Sequence, residues 1–186
     1  MSKIQFRNAA HRDFVLEKDV VKHPELREYR KGGTRQNNVL PVWAAFSYFE
    51  MGTMVMIYSY LRGDLRKEAL NYTYSQNNYK KEVTKQVDTW LDAVRNLRNY
   101  CAHHSMVVGM TSSVVIPDNR DSADVLPDNT NLYSRLYALK KILPQKDADM
   151  LARELEKLIS KTKIDIYKMN VLPANWKELY DKILFL

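Results

Sequence analysis

The residues best able to do chemistry crowd into one string, Arg95-Asn-Leu-Arg-Asn-Tyr-Cys-Ala-His-His-Ser105. An imidazole titrates near neutral pH, so His103 can take up and return a proton. The guanidinium of Arg98 stays charged and presents a planar fork suited to phosphate oxygens. The amide of Asn99 can hold an oxygen or fix an imidazole tautomer. These types together suit proton transfer at an anionic centre. The adjacent histidines do not suggest a metal, because neighbours on a helix point about 100° apart. No cysteine pair or acidic partner accompanies them. No metal and no cofactor are expected.

A helix must position this string. Val83, Val87, Trp90, Val94, Leu97 and Cys101 recur at alternating four- and three-residue intervals, one apolar stripe of an amphipathic helix running from about 77 to 104. The stripe centres near Leu97 and Cys101, so Cys101 reads as buried packing rather than a nucleophile. Arg98 borders it, roughly 60° away. Asn99 and His103 fall on the far side with Asp92 and Arg95. On an ideal helix residues 98 and 103 differ by about 140° and rise about 7.5 Å. One copy therefore converges poorly on one phosphate, whereas two copies about a two-fold axis surround a single cleft.

Composition sets the frame. At 186 residues the default is one compact domain with its own core, here an N-terminal arm and basic loop over 1–40 and a helical core over 41–186. Gly and Pro are scarce, at 5 and 6, which favours an all-α bundle. A single cysteine precludes an internal disulfide, and the start carries no apolar leader, so a cytoplasmic location is expected. Lys and Arg number 29 against 22 Asp and Glu, a net +7 that suits a polyanion such as RNA.

Along the chain, a short helix is expected near 9–21 and a basic loop, a linker or a phosphate-contacting arm, over 25–39. The run from Pro41 to Leu61 carries one charge, Glu50. Its mid-run carboxylate argues for a helix inside the bundle rather than a membrane span, with a partner for Glu50. A short helix follows over 64–72. Tyr72, Tyr74 and Tyr79 read as a loop. After the motif helix an irregular loop or short extended segment is expected, β-branched over 111–116 and polar over 117–130. Helices are expected over 131–142, with Lys140 and Lys141 at its end, where the helix dipole favours cations, over 145–161, with Leu151, Leu155, Leu158 and Ile159 as its apolar face, and over 173–184, with Trp176, Leu179, Tyr180 and Ile183 inward.

The Arg98-to-His103 spacing resembles the motif of HEPN ribonucleases, and Leu97 to Ser105 resembles the Abi (abortive infection) branch of that superfamily. Pro41-Val-Trp43, Gly52-Thr53, Tyr58 and Leu61 also stand where Abi-like proteins show those residues. Ser47 stands where an acidic residue is usual, so no catalytic duty passes to Glu50. Met106 and Gly109 stand where Arg and Asn often follow. The resemblance implies a HEPN-like helical domain and a metal-independent endoribonuclease for phage defence. Arg98, Asn99 and His103 would be catalytic and Arg95 and His104 RNA-contacting. Implied partners are RNA, a second copy and an antitoxin of protein or RNA, without a membrane. The alternative is a catalytically inactive helical module that binds RNA or a partner protein.

Overall fold

The computed structural model describes residues 46–47, 49–74, 81–112 and 126–184. The expectations for 9–21, 25–39, 41–45, Tyr79 and 113–125 lie outside the described residues. Among the described residues the regular structure is helical throughout: α1 (Met51–Tyr60), α2 (Gly63–Tyr74), α3 (Lys81–Ala102), α4 (Leu132–Ile142), α5 (Gln145–Lys161) and α6 (Trp176–Lys182). The all-α class is as expected. The chain divides into two compact units, Met1–Thr73 and Tyr74–Leu186.

In the first unit α1 starts after Glu50, whose backbone is extended. Only Thr53 and Ile57 of α1 are buried, and Glu50 is exposed, contrary to the expected buried carboxylate. No helix among the described residues is long and apolar enough to cross a membrane. The last carbonyls of α1 lack helical partners, as at any C-terminus. Arg66 of α2 supplies them. Its Nε donates to Leu61 O at 3.1 Å, its Nη2 donates to Ser59 O, and its guanidinium lies 5.4 Å from the Tyr58 ring centroid. Arg66 is buried at 4% exposure, so this cation is the pin of the α1–α2 corner. Helix α2 extends beyond the expected 64–72. Tyr72 and Tyr74 are helical rather than loop, and Tyr72 projects fully into solvent.

In the second unit α3 buries Thr84, Val87, Trp90 and Ala93 and packs mainly on α4. Asn131 caps α4: its Oδ1 accepts from the Ser134 N–H at 3.0 Å. Helix α4 is covered almost all round, with Tyr133, Ser134, Arg135, Leu136, Tyr137, Ala138, Lys140 and Lys141 buried. The end lysines, which the sequence sets where the helix dipole favours cations, are thus inside. Lys140 Nζ donates to Tyr180 O at 2.6 Å and lies 4.5 Å from that ring's centroid. Lys141 lies over the rings of Trp90 and Tyr137, at 5.7 and 5.5 Å. Aromatic faces and a carbonyl replace the water these ammonium groups give up. Trp176, Leu179, Tyr180 and Ile183 of the closing segment are buried as the sequence pattern predicts. Tyr180 OH reaches the Ala148 carbonyl at 3.1 Å, tying α6 to the start of α5.

Candidate functional site

Helix α3 has 22 residues, about 33 Å of rise. Between Thr84 and Ala93 it buries four residues, and α4 is the helix it packs on most. Its last turn leaves that cover: Arg98, Cys101, Ala102, His103 and His104 are all exposed. Cys101 is therefore not core packing, as expected from the stripe, but solvent-facing. The stripe's phase is correct as far as Ala93 and Val94. Beyond that Leu97 is half-buried and Cys101 is exposed.

The turn itself is well defined. His103 N–H bonds to Asn99 O at 3.0 Å, the helix's last bond of its kind. His104 N–H bonds to Cys101 O at 3.2 Å and Ser105 N–H to Tyr100 O at 2.9 Å. This pair of bonds is the Schellman motif, which closes a helix with one residue in the left-handed region. That residue is His104, at φ 51°. Glycine usually sits there, since a Cβ makes the conformation costly. The second imidazole is thus held at a fixed place just beyond the helix, one step from the first. The chain then turns again at Gly109, φ 69°, where only a residue without Cβ adopts the conformation freely. Met110 and Ser112 tuck back into the unit, and Ser112 N–H bonds to Thr130 O at 3.0 Å, beside the cap of α4.

Arg98 Nη1 donates to Asn99 Oδ1 at 3.1 Å. The exposed guanidinium and the half-buried amide are thus joined. Arg95 pairs with Asp92 one turn earlier, both partly exposed. His103 and His104 present their side chains to solvent beside this pair. Among the described residues no three His, Cys, Asp or Glu side chains are grouped as a metal ion would need.

A residue absent from the sequence reading lies behind the motif. Arg135 of α4 is fully buried, with Asp92, Asp128 and Tyr100 as its electrostatic neighbours. Burial pulls its pKa below the ordinary arginine value, and those neighbours oppose the shift. Asp128 is held below the usual carboxylate range, chiefly by the Thr130 N–H at 2.7 Å, with the Thr130 hydroxyl at 2.8 Å also contributing. So a buried cation ties the middle of α3 to the turn that starts α4. Nothing in the local pattern marked it: in sequence Arg135 is one charge among the leucines and tyrosines of a short helix.

The structure thus defines a helical protein that offers an arginine, an asparagine and two adjacent histidines on one uncovered helix end. Residues 2–108 match the family model of Abi-like proteins, more than half of the chain and inclusive of the whole string from Leu97 to Ser105. The chain belongs to the Abi-like protein family, and that membership points to abortive infection. No curated protein and no solved structure matches the chain.

Proposed function

We propose that this chain is a metal-independent endoribonuclease of the HEPN type, working as a homodimer in phage defence through abortive infection. The observation that carries the reading is the coincidence of two facts. The family match encloses Arg98, Asn99 and His103, and Arg98 and His103 are solvent-facing with Asn99 partly so, rather than spent on packing.

The chemistry follows from RNA itself. Its 2′-hydroxyl attacks the adjacent phosphorus and the P–O5′ bond breaks, giving a 2′,3′-cyclic phosphate and a 5′-hydroxyl. One imidazole accepts the 2′-proton while another protonates the leaving oxygen. His103 and the partner's His103 fill these roles across a two-fold cleft, which overcomes the divergence of residues 98 and 103 on one helix. Arg98 stabilises the charge of the phosphorane. Asn99, bonded to Arg98 through Oδ1, aligns the fork and offers its NH₂ to a phosphate oxygen. Arg95 and His104 flank the string and contact the RNA strand. A toxin of this kind implies a neutralising antitoxin, protein or RNA.

A second reading, a catalytically inactive module that binds RNA or a partner protein, draws on Met106 and Gly109. These stand where Abi-like proteins often carry Arg and Asn, and Met106 is 76% exposed. One assay separates the two: RNA cleavage in EDTA by the wild type, Arg98→Ala and His103→Ala. The enzyme reading expects cleavage by the wild type and a loss of roughly 10²–10⁴-fold in each variant. RNA that is bound but left intact by the wild type would support the binding module instead.

A further inference from the structure

Helix α5 has more apolar surface than its own unit covers. Ala148 and Ala152 form its buried line, at 0% and 2% exposure. Leu151 and Leu158, seven residues apart on one face, are turned about 90° from that line. Leu151 is half-buried and Leu158 is 65% exposed, with Leu155 and Thr162 half-buried between and after them. Positions 151, 155, 158 and 162 repeat at four, three and four residues, the spacing of a two-helix seam. Exposed apolar residues continue past the helix end at Ile164 and Met169, 60% and 46% exposed. An isolated exposed leucine needs no explanation, but a seam-spaced row does.

The charges flanking this row choose the occupant. Asp147, Glu154 and Lys161 lie seven apart along one edge of it. A parallel copy would set Asp147 against the partner's Ala152 and Glu154 against the partner's Ile159, bringing no opposite charges together. An antiparallel copy, with Leu155 opposite the partner's Leu158, brings Glu154 beside the partner's Lys161, and does so twice by symmetry. We propose that α5 is a self-association surface, pairing antiparallel with α5 of a second copy through Leu151, Leu155 and Leu158 and locked in register by the two Glu154–Lys161 pairs. Glu154 bonds its own Lys157 at 2.6 Å, both side chains well exposed. A surface pair of that kind is weak enough to be exchanged on association. The seam lies on a different helix from the motif and does not rest on the nuclease reading.

The test is sedimentation analysis of the full chain. Leu158→Asp, a change at an exposed site, should halve the wild-type mass while leaving helical content intact. Arg98→Ala and His103→Ala should leave the mass unchanged, so failure of the nuclease reading is read separately. Glu154→Lys and Lys161→Glu should each weaken association about tenfold, since two attractive contacts become repulsive. Mixing those two variants should restore it, because every cross-pair is then opposite in charge. A monomeric wild type overturns the proposal, including the case in which Leu158→Cys resists thiol reagents because another segment of the same chain covers the face. A mass indifferent to Leu158→Asp, or charge reversals that do not rescue one another, overturns it equally.

Discussion

His104 is the residue whose backbone says most about the site. It closes α3 in the left-handed region, where glycine would be unstrained and a histidine costs about 1 kcal/mol or more. A chain that holds an imidazole in that conformation gives up stability at that position. His104→Gly is therefore expected to raise stability by about 1 kcal/mol in urea unfolding, while RNA affinity falls. A stability loss on that substitution would show that the side chain is needed for packing rather than for contact. Cys101 teaches the reverse lesson. Its place in the apolar stripe suggested the core, yet the stripe outlasts the surface that covers it. Periodicity reports which face of a helix is apolar; it does not report how far along the helix a neighbour extends.

At the scale of the elements, helices were legible where sequence signals agreed. The expected 145–161 coincides with α5, and 131–142 with α4, because leucines at helical spacing mark both. What could not be read was the role of buried cations. Arg66, Arg135, Lys140 and Lys141 look like surface charges in sequence, and the structure buries all four against carbonyls, carboxylates or rings. Arg66→Met should leave Ser59 and Leu61 carbonyls without their charged donor and cost about 2–3 kcal/mol, read as a lowered urea midpoint. The turn before α4 should show acid sensitivity. Asp128 has its carboxyl pKa lowered in the fold by the Thr130 bonds, so its stabilising contribution is present above its unfolded value of 3.8 and is lost as pH falls below that through the folded value. The melting temperature of the wild type should accordingly fall more steeply than that of Asp128→Asn below about pH 4. Parallel curves would place the acid sensitivity elsewhere.

For the whole molecule, the candidate site was readable because its chemistry lies in one contiguous string, Arg98 to His103, on one helix. The parts of the picture that depend on distant segments, Arg135 behind the motif and the open face of α5, were not readable, since neither has a local signature. On the proposed function, the net +7 charge and the exposed arginine and histidines predict a salt-dependent association with RNA. The affinity should fall linearly with the logarithm of salt concentration on a double-logarithmic plot, and Arg95→Ala should flatten that slope. An unchanged slope would remove Arg95 from the RNA surface.

The central claim is that the imidazole at position 103 moves protons while the guanidinium at 98 steadies the phosphorus centre. End-group analysis of RNA treated with the wild type in EDTA tests it most directly. The account predicts 2′,3′-cyclic phosphate and 5′-hydroxyl ends that are absent after treatment with His103→Ala or Arg98→Ala. Ends with a 5′-phosphate, or the same ends from all three proteins, would contradict it.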